Sequence, residues 1–83
     1  MGKRTTLLED VLRDGEVLVL NDGRRFVVVG TGDATIASIW LPTARITLQR
    51  GEGRIVRVTN ADTGETVMAR QQIEPVFGRR LRN

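Results

Sequence analysis

Residues 16–30 read EVLVLNDGRRFVVVG, and the pairing of this stretch decides the fold. Two aliphatic runs flank Asp22-Gly23, a pair that marks a two-residue hairpin because a type I′ turn needs φ > 0 at both central positions. Counting outward from that turn sets Val19 opposite Phe26 and Val17 opposite Val28 on one face, with Leu18 opposite Val27 on the other. Both faces are apolar. Such a hairpin needs a sheet curling round one face and a second element covering the other.

The rest of the 83-residue chain is expected to supply both within one domain. Upstream, Thr6-Leu7-Leu8-Glu9 has the form of a capping box, and Leu8, Val11 and Leu12 follow at i, i+3, i+4 spacing. This predicts a short helix over Leu7–Arg13, stopped at Asp14-Gly15, whose apolar stripe covers the hairpin. Downstream, Thr35–Leu41 (TIASIWL) reads as a third strand ended by Pro42. A second hairpin over residues 45–59 places ITLQR and RIVRVT around Gly51-Glu52-Gly53. Pairing about Glu52 turns Ile46 with Val58 and Leu48 with Val56 toward the core, and Arg45, Thr47, Gln49, Ile55, Arg57 and Thr59 toward water. Arg50 and Arg54 then fall opposite each other, where like charges repel. After the turn-rich Asn60-Ala61-Asp62-Thr63-Gly64, Glu65–Arg70 is a fifth strand, a helical turn is expected near Gln71, and Pro75 leads into an edge strand at Val76.

Five or six short strands at roughly ten-residue spacing predict a mainly β fold, a small antiparallel barrel or roll with a short N-terminal helix. The domain is expected over residues 6–77, between a basic arm at 1–5 and a basic tail at 78–83. The closing stretch Ile73-Glu74-Pro75-Val76, a turn and a Pro-containing edge strand after a meander, resembles the last segment of SH3-like barrels, including KOW-type and Tudor-type modules. The resemblance covers residues 16–77 at the level of fold and brings no functional residues with it. Such barrels host nucleic-acid binders, peptide binders and assembly parts alike.

The composition narrows the chemistry. The chain has no cysteine and no histidine. That excludes disulfides, removes the usual ligands of zinc, copper and iron, and removes the commonest general base at neutral pH. Neither a metal nor another cofactor is expected, nor is an enzyme, and a reducing, cytoplasmic compartment is the expected setting. The start carries no apolar leader segment, and no run of eighteen apolar residues occurs, so neither export nor membrane spanning is expected. Asp22, Asp33, Asp62 and Glu65 are the candidate acidic ligands or catalysts, yet each lies in or beside a turn with Gly or Asn, where a carboxylate caps backbone N–H groups.

Charge offers the functional signal. The net charge is +3 with a pI near 11.0, a balance that suits nucleic acid. Lys3, Arg4, Arg79, Arg80 and Arg82 sit at the ends, while residues 5–78 hold eight Arg against ten Asp and Glu, a body of −2. Twelve of the thirteen cations are Arg, which suits bidentate phosphate contacts and equally reflects a GC-rich genome. Arg45, Arg50, Arg54 and Arg57 share the second hairpin and, with Glu52 between them, give a local +3 able to follow a phosphate backbone. An ordinary solvated sheet face has the same look. The tail residues Arg79, Arg80 and Arg82 are candidate phosphate-seeking arms, or inert basic ends. Trp40 and Ile55 are the candidates for a protein interface, although a lone Trp in a small domain is commonly core. Three aromatic residues, Phe26, Trp40 and Phe77, are too few for a base-stacking platform, a methyl-lysine cage or a proline-peptide groove. Two readings stay open. One is a non-enzymatic module binding nucleic acid or a nucleoprotein complex through the Arg-rich hairpin and basic tails. The other is a protein-binding adaptor, inhibitor or oligomeric assembly subunit that uses an exposed strand edge.

Overall fold

The computed structural model of the chain describes residues 4–73. Six strands, β1 (Arg4–Leu12), β2 (Val17–Leu20), β3 (Arg25–Val28), β4 (Arg45–Arg50), β5 (Ile55–Asn60) and β6 (Glu65–Gln72), close into an antiparallel barrel in the order β1-β2-β3-β6-β5-β4. A short helix, α1 (Asp33–Ala37), lies between β3 and β4, and the tight turn Arg13–Gly15 joins β1 to β2. The mainly β, six-stranded architecture is as expected, with two elements exchanged.

The helix predicted over Leu7–Arg13 is instead strand β1. Its first half pairs with β4 (Thr5 with Thr47, Leu7 with Arg45) and its second half with β2 (Leu8 with Leu20, Val11 with Leu18). The register shifts between Leu8 and Asp10, so Glu9 is the extra residue of a bulge. Leu8 and Val11, three residues apart, therefore both turn into the barrel. Bulged strand and amphipathic helix share that spacing, and two turns of helix cannot compete with backbone ladders on two neighbours. Conversely, the strand predicted over Thr35–Leu41 is α1 and its exit. Ala37 and Trp40, also three apart, are the buried residues of this segment. The Asp33 carboxylate accepts the Met68 backbone N–H at 2.8 Å and pins the start of α1 to β6.

The first hairpin also differs from its reading. Gly23 alone in the turn has positive φ (+96°); its N–H donates to Leu20 O, and the Leu20 N–H donates to Arg24 O, each at 2.9 Å. The loop is thus Asn21–Gly23 with a bulge at Gly23, rather than a type I′ pair. Leu18 pairs with Phe26 and Val17 with Val27, one residue from the expected register. A one-residue slip exchanges faces. Leu18, Leu20 and Phe26 point inward at 0, 0 and 1% exposure, while Val17, Val19 and Val27 form a half-buried outer stripe.

The second hairpin turns tightly over residues 52–55, with Gly53 at φ +60° and the Ile55 N–H donating to Glu52 O at 3.0 Å. Ile46 pairs with Asn60, Leu48 with Val58 and Arg50 with Val56, two residues from the expected pairing. An even slip preserves the faces and pairs Arg50 with Val56 instead of Arg54. Strand β6 continues through Gln72, replacing the helical turn expected near Gln71. Strand β1 begins at Arg4, inside the expected arm, and the expected edge strand at Val76 lies outside the described residues.

Leu8, Leu18, Leu20, Phe26, Ile46, Val58, Val67 and Ala69 fill the barrel, and Ala37, Trp40 and Ala44 close its base. Each large aliphatic or aromatic side chain so buried contributes about 1.5–3 kcal/mol. Arg13, Asp14 and Gly15 all adopt positive φ (54°, 56° and 96°), swinging the chain from β1 into β2 against α1. A Cβ on Gly15 would collide with the Ala34 carbonyl oxygen. Gly15→Ala is therefore expected to cost at least about 3 kcal/mol or abolish folding, and Asp33→Ala, which strips the Met68 N–H of its acceptor, about 1–3 kcal/mol, both read from urea unfolding. A Gly15→Ala midpoint equal to that of the wild type contradicts this packing of α1.

Candidate nucleic-acid interface

The two ends of β6 face different surroundings. At its start, Glu65 accepts the Trp40 indole N–H at 2.8 Å and Met68 holds α1, so this end is the plugged base. At its finish, Arg70–Ile73 lies between the loops of both hairpins. Two open concavities of about 520 and 620 Å³ flank that finish and share Gln71 and Ile73. Arg50, Arg54 and Arg70 line the first, Arg24 and Arg25 the second. Arg24 stands 5.9 Å over the ring of the core residue Phe26 and is paired with Asp22 at 2.8 Å, so its charge is locally spent. Among the described residues, Arg25, Arg50, Arg54 and Arg70 enter no ion pair, and against Glu52 they leave this mouth at +3.

The start of β1 and the exit of β6 lie at the same end. Strand β1 starts with Arg4 opposite Leu48, two residues before Arg50 on β4, so the start of β1 lies beside the mouth. Strand β6 leads to Ile73 within the mouth.

The candidates read from the sequence are thus sorted by the barrel. Arg50 and Arg54 come together at the mouth. Arg57 is exposed on the outer wall between its partners Gln49 and Met68. Arg45 lies at the opposite end of β4, with its Nε 2.9 Å from Asp62 Oδ1 and its backbone N–H donating to Asp62 Oδ2 at 3.2 Å, so it serves the β5–β6 turn. Arg79, Arg80 and Arg82 lie outside the described residues. Trp40 is 4% exposed, a core residue rather than a surface anchor, while Ile39 and Leu41 beside it are 71% and 72% exposed. Ile55 is half-buried opposite Arg70. Arg25 and Arg70 are additions that the sequence reading missed. Counting outward from the Asn60–Glu65 turn pairs Ile55 with Arg70 and would have placed the latter beside the second hairpin's loop.

The acidic candidates are each engaged structurally: Asp22 with Arg24, Asp33 with Met68, Asp62 with Arg45, and Glu65 with Trp40 and Thr63. Among the described residues no group of three or more carboxylates forms a metal site, and no helix is long and apolar enough to cross a membrane. Compared with known protein families, curated proteins and solved structures, the chain matches none.

Hydrogen bonds from the Arg45 side chain, and then from its backbone, hold the Asp62 carboxyl below its ordinary value of 3.8; the Arg24 backbone N–H does the same for Asp22. A carboxyl lowered in the folded state adds stability above its unfolded value and loses it as pH falls through the folded one. The melting temperature is therefore expected to hold from neutral pH to about 4 and to fall below 3.8, with a shallower acid loss in Asp62→Asn. Parallel acid profiles for the variant and the wild type argue against the Arg45 pairing.

Proposed function

We propose that the protein is a small, non-enzymatic module that holds nucleic-acid phosphates at the mouth of its barrel. The observation that carries this reading is convergence: Arg25, Arg50, Arg54 and Arg70, the start of β1 and the exit of β6 all lie at one end. Taken over the body alone the charge is slightly negative, so the sequence average hides a local +3. A cationic end neutralises phosphates without regard to base identity, and Arg offers two parallel donors to each. Trp40 and Phe26 are buried, so the described residues bring no aromatic ring to the mouth, and the affinity is assigned to charge rather than base stacking. The SH3-like likeness of the Ile73–Val76 stretch supports this only as an architecture on which such binders occur. The alternative use of a strand edge has less to stand on, because each strand of the closed barrel has neighbours on both sides.

Fluorescence anisotropy with a labelled duplex and a matched single strand, titrated across salt concentrations, tests the reading. Each lost phosphate contact is expected to flatten the log–log salt slope by about 0.9 on the duplex. Arg50→Gln with Arg54→Gln should therefore remove about 2 from the slope, and truncation after Gly78 a further 2–3. Absence of any salt-sensitive binding at about 0.05 M salt overturns the proposal, as does binding indifferent to both changes.

A further inference from the structure

The outer wall of the barrel carries two faces of opposite charge. In the ring order β1-β2-β3-β6-β5-β4, the seam between β1 and β2 and the seam between β6 and β5 lie three strands apart in either direction, on opposite sides. On the first seam, Asp10 pairs with Val19 and Leu12 with Val17. These pairs face outward because the alternating pairs Leu8–Leu20 and Val11–Leu18 fill the core. The bulged Glu9 and the turn residue Glu16 flank them, and Glu9, Asp10 and Glu16 are all exposed. On the second seam, Arg57 pairs with Met68 and Ile55 with Arg70, with both cations exposed. Val29, 42% exposed, extends this seam, since its N–H donates to Met68 O. Arg13 and Asp14 in the same turn are also exposed, and exposed Arg25 of β3 pairs with Val19, so half-buried aliphatic side chains on the first seam stand with Glu9, Asp10, Asp14 and Glu16 against Arg13 and Arg25, and on the second with Arg57 and Arg70. One surplus is negative and the other positive.

We infer that these seams are the two halves of a contact between copies of this chain, the Glu9/Asp10 seam of one copy docking on the Arg57/Arg70 seam of the next. The occupant follows from complementarity: the acidic wall needs a cationic aliphatic partner, and the chain itself carries one of similar extent on its far side. Because the faces differ and lie opposite each other, the contact is heterologous. It repeats from copy to copy as an open row or a ring and cannot close as a two-fold dimer. The contact is distinct from phosphate binding at the mouth and shares with it Ile55 and Arg70.

Sedimentation velocity on nuclease-treated full-length protein tests the inference, the nuclease removing nucleic acid that would bridge copies. The wild type is expected to sediment as species larger than a monomer at about 0.01 M ionic strength and to revert to a monomer at about 1 M, where the Debye length shrinks from about 30 Å to about 3 Å. Glu9→Gln with Asp10→Asn spoils one seam; Arg57→Gln with Arg70→Gln spoils the other. Each double variant alone should weaken self-association by about tenfold or more. Mixed in equal amounts they should give a one-to-one dimer and nothing larger, because each supplies the intact seam the other lacks. Circular dichroism melts confirm that both variants fold, and Asn at position 10 keeps the acceptor for the Val11 N–H. A monomeric wild type at low salt, unaltered association in either variant, assembly persisting at high salt, or a mixture that stays monomeric each overturns the inference. Arg50 and Arg54 lie on neither seam, so loss of binding in the Arg50→Gln, Arg54→Gln variant with self-association unchanged, or the reverse in the seam variants, distinguishes failure of one proposal from failure of the other.

Discussion

One strand, β1, must satisfy both neighbours at once, and the barrel depends on how it does so. Its first half reaches β4 and its second half β2, and the bulge at Glu9 lets the chain turn from one to the other while Leu8 and Val11 both stay inside. Without it, continuous alternation would send Val11 outward and leave Leu18 without its cross-strand partner. The chain around Leu8 is secured on a third side as well, since Leu8 O accepts the Thr43 N–H at 2.6 Å and the Leu8 N–H donates to Ala44 O at 2.9 Å. Those bonds draw the α1 exit under the barrel, where Ala37, Trp40 and Ala44 stop its base.

The same bulge explains what the sequence concealed. A helix and a bulged strand both put apolar residues three apart, so Leu8 and Val11 fit either, and the Thr6–Glu9 capping-box pattern tipped the reading to helix. At Thr35–Leu41 the error ran the other way: β-branched Thr35 and Ile36 suggested a strand, yet the buried residues Ala37 and Trp40 keep helical spacing. Only closure of the barrel by β1 decides both. The hairpins were legible as hairpins because their turns are written in Asn, Asp and Gly, and the parity of each register error decided what survived. A slip of one exchanged the faces of Val17–Leu20, whereas a slip of two left Ile46, Leu48, Val56 and Val58 on the core side.

The candidate site was legible by residue type and illegible by position. Arg45, Arg50, Arg54 and Arg57 are close in sequence, but a six-residue strand carries Arg45 to the far end of β4, where Asp62 claims it. Arg25 and Arg70, distant in sequence, come to the mouth because antiparallel pairing sets the end of β6 beside the starts of β3 and β5. Acidic turn residues were the more reliable inference. Capping a turn is a local demand that Asp22 meets within two residues, whereas Asp33 and Asp62 accept backbone N–H groups of distant strands, Glu65 accepts only from side chains, and a charge cluster is a property of the closed ring.

The two proposed contacts differ in direction, and that difference has a consequence for affinity. Nucleic acid would meet the mouth, along the barrel axis, while copies would meet across the wall, around its circumference. Docking seam on seam would leave Arg25, Arg50 and Arg54 uncovered and bring neighbouring mouths side by side. A phosphate chain held at one mouth then finds the next at high effective concentration, so modest affinity per mouth is multiplied without any new kind of contact. Arg70 borders both regions, and a carboxylate brought against it by a neighbouring copy offsets one cation of the mouth. Assembly would thus trade a small loss of charge at each mouth for many mouths on one strand, and since phosphate contacts add while Arg70 is one of four unpaired cations there among the described residues, multiplicity would outweigh the loss.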